Sequence, residues 1–382
     1  MKKPAKPAAR ASKTSLLDVN KFENIQQLGG IRTGMLDAPA AGGGAGVRVA
    51  LFDTASGFRF TVALDRGGDI VDAHYNAVGL AYLSPNGLRP PESARHHEIE
   101  WLRGWAGGLV TTCGPEYVGG PRMEAGAKTS LHGRYSNSPA AVEGLRNPDP
   151  ARGVRDMALD LVVRDSRMFG PTFEIRRTLR ATLGEPGVTI VDEVTNCSDT
   201  AAAHHWLYHC NLGYPLLNEG ARFVYRGRAQ YWVVPPPEGQ DIVQPLPAAA
   251  MNRLKRVPGG LPEHAGFGER GLIVDVEPDA RGACHVGLLN PVLHLGLEFS
   301  YPAAALPRLA HWQHYGPRGC YVSGLEPFHG SLLGRDRDRH PGVDSVLAPG
   351  ESRRYRLAIR VLRDQAEMHA LAACDGPVLA GR

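Results

Sequence analysis

The chain has 382 residues, 43% hydrophobic and 21% charged, with a net charge of +4 at pH 7. This balance fits a globular protein with a sizeable core and excludes a nucleic-acid role, which needs basic character spread through the fold. No window approaches the ~20 apolar residues of a membrane helix.

The opening segment is basic through Lys2, Lys3, Lys6, Arg10 and Lys13, and no apolar core of a secretion signal follows it. Residues 1–20 are therefore expected to be a disordered basic tail, 21–382 one domain, and the compartment cytoplasmic. The six cysteines are scattered with no Cys-x-x-Cys pair, so free thiols are expected rather than a disulfide framework or a zinc–thiolate site. With 46 glycines and 30 prolines, the elements should be short and joined by turns.

In chain order, AAGGGAG (40–46) lacks the Gly-Lys-Ser/Thr ending of a phosphate loop and precedes a strand, so it reads as a flexible loop. GVRVALFDT (46–54) and FRFTVALD (58–65) alternate apolar and polar residues around ASG and read as a hairpin. Residues 84–128 carry few strand patterns but many Gly, Pro and charged residues, the composition of long loops over one face, where function concentrates. MALDLVVRD (157–165) and FEIRRTLRAT (173–182) form a second pair, continued by GVTIVDEVTN (187–196). Further strand-like runs cover 204–213, 222–227, 231–235, 271–278, 284–290, 294–301, 320–327 and 352–362. PAAALPRLAHW (302–312) is too broken by proline to be a helix, GRDRDRHPG (334–342) reads as a solvated charged loop, and DQAEMHALAACDG (364–376) is the best helix candidate.

A dozen or more strands with scarcely a helix predict an all-β, antiparallel architecture, either a sandwich or a propeller. The ~40–50-residue repeat of a propeller is absent, leaving one large β-sandwich.

The stretch AAAHHWLYHCNLGYPLL (201–217) holds His204, His205 and His209 within six positions. On a strand, His205, Leu207, His209 and Asn211 share one face, and His205 and His209 lie about 13 Å apart at ~3.3 Å per residue, too far to chelate one metal. His204 and His205 fit satisfied imidazoles at a strand end. His209 sits where the strand exits into a turn, and an imidazole there suits proton donation near neutral pH.

YHCNLGYPLL (208–217) resembles the histidine segment of the aldose 1-epimerase (galactose mutarotase) superfamily. SLHGRYSN (130–137) resembles its Leu-His-Gly segment, and VSGLEPFHG (322–330) its late strand with a Leu-Glu pair. The likeness covers roughly 45–365 in the same order. It is closer to a bacterial branch carrying LDRGGDIVDAHYNAVGLAYLSP (64–85) and GWAGGLVTTCGPEYVG (104–119), which are not standard in true mutarotases.

The resemblance implies a galactose mutarotase-like sandwich acting on a free sugar, with Glu326 as base and His209 as acid. It further implies His132 near the ring oxygen and Arg134 or Asn211 on hydroxyls. Arg66 is expected to reach over the cleft and Gln313 to contact a hydroxyl, while Trp101, Trp105 and Trp312 could stack on a sugar face. Glu116 and Cys113 could shape the pocket; Cys113 has no histidine partner and is not expected to be a nucleophile.

No cofactor is expected for mutarotation. The alternatives are a metal-assisted isomerase or epimerase, with His132, His209, Glu326 and His311 or Gln313 converging on a divalent ion, and a carbohydrate-binding module without turnover. The expected partner is a small sugar, with neither nucleic acid nor membrane, and a homodimer is compatible with this reading.

Overall fold

The computed structural model describes residues 18–37, 46–92, 98–124, 127–334 and 345–381. Most of the basic tail, most of the glycine loop at 40–46 and the charged loop at 335–342 lie outside them.

Three sheets carry the architecture. A five-stranded antiparallel sheet runs from Gly30–Asp37 through Gly46–Asp53, Phe58–Ala63 and Asp69–Tyr75 to Val78–Gly79. A back sheet of eight strands has Ser352–Leu362, Gly187–Asn196 and Thr172–Thr182 at its centre. A front sheet orders Gly227–Val234, Glu269–Val276, Arg308–Tyr315, Tyr321–His329, Trp206–Leu212 and Thr111–Cys113 as neighbours. One buried cluster draws on all three, with Phe52 and Phe60 from the first, Leu179, Ile190 and Leu357 from the back, and Trp206, Tyr208 and Leu212 from the front. Among the described residues no helix is long and apolar enough to cross a membrane.

The two predicted hairpins form as read, because period-two alternation places one row of side chains in the core. Along Thr172–Thr182 the inward row is Phe173, Ile175, Arg177, Leu179 and Ala181. Arg177 is the exception in charge, and it is fully occupied. It makes a bidentate pair with Asp192 (2.7 and 2.9 Å) and reaches Asp69 Oδ1 at 2.9 Å and Thr112 Oγ1 at 2.7 Å. Tyr208 donates to Asp192 at 2.6 Å, and the Thr112 amide donates to Asp69 at 3.0 Å. Burial works against the guanidinium charge, but Asp192 and Asp69 hold it. Thus one buried cation ties the five-stranded, back and front sheets together, directly behind the histidine strand.

Strand Arg308–Tyr315 went unread in the sequence because it is buried on both faces, with His311, Gln313 and His314 in place of aliphatics. The C-terminal helix is Gln365–Ala372, capped by the Asp364 side chain on the Glu367 amide at 2.9 Å. The described residues of segment 84–128 are mostly irregular, interrupted by the helical turn Trp101–Gly104, strand Thr111–Cys113 and the short strands Met123–Glu124 and Ala127–Lys128.

Candidate active site

His209 stands on Trp206–Leu212 and Glu326 on Tyr321–His329. In their antiparallel register Leu207 faces Phe328 and Cys210 faces Leu325, which sets His209 directly across from Glu326. Such cross-strand neighbours are in side-chain contact, and His209 Nε2 lies 3.3 Å from Glu326 Oε1. Both side chains are almost wholly buried, at 4% and 2% exposed. Trp206, Tyr208 and Cys210 alternate into the core, which turns His209 outward.

Gly324 makes room for the carboxyl: a Cβ there would lie 2.4 Å from Glu326 Oε1. At Gly271 a Cβ would lie 2.7 Å from the Trp232 indole, so glycine lets that ring lie flat on the next strand.

The pair forms the floor of a cavity of about 570 Å³. Its walls are largely aromatic, built from Trp101, Trp105, Tyr117, Trp232, Phe267 and Trp312. Three of the indoles are oriented by their N–H groups. Trp101 donates to Ser136 at 3.1 Å, Trp105 to Thr111 at 3.1 Å, and Trp312 to Glu269 at 2.6 Å. Trp105 and Trp312 hold ring centroids 5.7 and 5.4 Å from His209. His314 contacts the Cys320 and Gly266 carbonyls at 2.9 and 3.0 Å, tying the loop that carries Phe267 to the sheet.

His132 joins the floor from the turn Leu131–Gly133, its ring 5.2 Å from that of His209. Its backbone takes a φ of 58°, a conformation uncommon outside glycine that persists only where surroundings impose it. Here its amide donates to Gly119 and its carbonyl accepts from Gly114. Buried Nδ1 of His132, Nδ1 of His209 and Oε1 of Glu326 have no hydrogen-bond partner among the described residues. These three polar atoms are packed beneath the cavity surface, out of contact with its open space.

Burial pushes the His209 imidazole well below its ordinary range, the neighbouring His132 adds to this, and Asn211 opposes it. Burial likewise pushes the Glu326 carboxyl well up, reinforced by the charge of Glu269. His132 is pushed down to about 4 by burial, against a backbone contact with Val118. Burial thus works against charge on each of the three groups of this floor.

A family model described as a domain of unknown function, DUF4432, matches residues 44–361. The chain belongs to this family. No curated protein matches it significantly, but solved structures share the DUF4432 chain's fold. A candidate aldose 1-epimerase from Klebsiella pneumoniae superposes with a TM-score of 0.75 at 20% identity, covering 92% of this chain and 89% of that one. A galactose mutarotase-like protein from Clostridium acetobutylicum gives 0.60 at 11% identity, with 87% and 98% covered. The architecture is that of galactose mutarotase-like proteins.

In this DUF4432 chain several residues expected at the substrate lie elsewhere. Arg134 pairs with Asp165 at 2.6 Å, away from the cavity, because the tight turn at His132 and Gly133 sends the next side chain toward strand Asp156–Ser166. Arg66 is buried against Asn137 Oδ1 at 2.5 Å and the Gly104 carbonyl at 2.9 Å, so it braces the Trp101 segment from behind. Asn211 shares the His209 face but is buried further along the strand, its amide spent on the Gly108 and His209 carbonyls. Gln313 points to the opposite face from Trp312 and His314. It donates to Leu254 and His311 and accepts from Arg270 at 3.0 Å, leaving it nothing for a sugar.

His311 is equally inward, with Nδ1 2.7 Å from Tyr225 Oη. The metal alternative thus loses the ligands it drew from this strand, and among the described residues no three His, Cys, Asp or Glu side chains are placed to hold a metal ion. Glu116 lies near Arg167 at 3.9 Å, and burial raises the Cys113 thiol well above its ordinary range.

Sequence reasoning missed Glu269. Among the described residues it is the only carboxyl besides Glu326 on the cavity wall, and it opens an ordinary amphipathic run, ERGLIVDV, where an acid reads as a solvated strand end.

Proposed function

We propose that the chain interconverts the anomers of a free sugar by acid–base catalysis at the His209–Glu326 pair. The observation carrying this reading is that pair: two buried, complementary proton-transfer groups 3.3 Å apart at the floor of an aromatic cavity. Ring opening needs one proton removed from the C1 hydroxyl and one delivered to the ring oxygen. One member of the pair takes the first and the other gives the second, the C1–O bond to the ring oxygen breaks, and C1=O forms. Rotation about C1–C2 and the reverse transfers close the other anomer. The carboxyl of Glu269 accepts a substrate hydroxyl, and the indoles of Trp105 and Trp312 cover the sugar face. No metal takes part in this proposal.

The fold of solved relatives supports the carbohydrate class, and the geometry supports the proton chemistry. The test is polarimetric relaxation of freshly dissolved neutral aldoses, with and without a chelator. Wild-type acceleration insensitive to the chelator, reduced on the order of 10²–10⁴-fold in Glu326→Gln and in His209→Ala, is the expected result. Loss of activity on chelation would move the reaction to the metal-assisted class. Sugar binding that survives in Glu326→Gln, with no wild-type rate effect on any sugar, would make the chain a binding module.

A further inference from the structure

A second cavity, remote from the first, lies between strand Arg222–Val224, the short helix Ala248–Arg253 and the C-terminal helix Gln365–Ala372, and measures about 1020 Å³. Its charged lining is one-sided. Arg222, Arg253, Lys255 and Arg256 face it together with one carboxylate, Asp375. Arg222 and Arg256 are antiparallel bridge partners, so two like charges stand directly opposite each other, an arrangement that costs stability.

Asp375 compensates only part of this charge. It pairs with Arg222 and with Lys255, whose ammonium is buried and also donates to the Tyr225 and Gly376 carbonyls at 2.7 and 3.0 Å. Arg253 and Arg256 are exposed, and no acid among the described residues pairs with either. Between the cations the lining turns apolar, with Leu289 and Met368. The cavity is far larger than an inorganic ion needs and matches the ~300–1,000 Å³ of sites for small organic ligands.

We propose that this cavity binds a phosphorylated small molecule, its phosphates held by Arg253, Arg256 and the open edge of Arg222, and its organic part lying on Leu289 and Met368. Guanidinium forks match phosphate oxygens in bidentate geometry, and an excess of positive charge over one acid calls for a ligand carrying more than one negative charge. Nothing in this assignment depends on the sugar chemistry of the first cavity.

The test is calorimetric titration of the full chain at low salt with two probes, inorganic pyrophosphate and adenosine triphosphate, for wild type and the double variant Arg253→Ser/Arg256→Ser. Both substituted side chains are exposed and unpaired with acids, so the variant should keep the wild-type circular dichroism spectrum and melting curve. Both probes should bind wild type, the nucleotide more tightly because it alone covers the apolar lining. The variant should weaken both by roughly tenfold or more, and added salt should weaken wild-type binding. Absence of binding by either probe, or equal affinity in wild type and variant, would overturn the site. Equal affinity for the two probes in wild type would overturn the organic-phosphate assignment.

Discussion

Replacing Gly324 by alanine tests whether the placement of the Glu326 carboxyl, rather than its mere presence, matters. Gly324 does not occupy the left-handed region, so alanine brings no backbone strain, and its Cβ conflicts with the Glu326 side chain alone, at 2.4 Å from Oε1 and 3.3 Å from Cγ and Cδ. An ordinary contact begins at 3.4 Å; the oxygen must therefore retreat by about 1 Å, a displacement that can cost on the order of 10²-fold in rate. The carboxyl's movement lengthens or redirects the 3.3 Å approach to His209. Polarimetric kcat for Gly324→Ala should thus fall about 10²-fold, about 3 kcal/mol in barrier, while the urea midpoint moves little because only one side chain has shifted. Full activity in a folded Gly324→Ala protein would refute the claim that the 3.3 Å juxtaposition is the working geometry.

Two further outcomes follow from buried charge. Arg177→Met leaves Asp69 and Asp192 without their cation and should cost about 3–5 kcal/mol of unfolding free energy, measured by urea denaturation; a loss below about 1 kcal/mol would show that the junction is not held by this ion network. His311 is fully buried and pushed down to about 3 by burial, with Lys255 and Arg270 adding to the effect. Because its folded value lies below the unfolded value near 6.5, the unfolded chain binds the extra proton. Stability is then intact above pH 6.5 and falls as the pH drops toward the folded value, by about 2 kcal/mol from this residue between pH 7 and 5. Chemical denaturation of wild type and His311→Asn at both pH values checks this, and an equal pH dependence in the two proteins would contradict it.

The fold was legible wherever one face of a strand is wet. The hairpins at 46–65 and 157–182 announce themselves by alternation, whereas Arg308–Tyr315, buried on both faces and rich in imidazole and amide, offers no such rhythm. His209 and Glu326 were legible through motif order, and their meeting depends on a register that no local pattern encodes. Arg134, Arg66 and Gln313 sit beside the right motifs but turn the other way, and Asn211, on the His209 face, spends its amide on backbone carbonyls. At Gln313 the reason is strand parity: neighbouring Trp312 and His314 face the cavity, and period two sends Gln313 behind it. Glu269 was invisible because its role comes from Trp312, forty-three residues away.

The proposed proton-transfer pair and the surfaces that would select a substrate belong to different kinds of structure. His209 and Glu326 are locked by strand register and backed by the Arg177 junction, whereas Trp101, Trp105, Tyr117 and Phe267 come from connecting segments. Such a division lets loop exchange retarget the protein to a new substrate while its reactive chemistry is inherited intact. Within this family, divergence of substrate should therefore run through those segments ahead of the sheet, and a chimera carrying another member's 98–122 segment should change substrate range before it loses turnover.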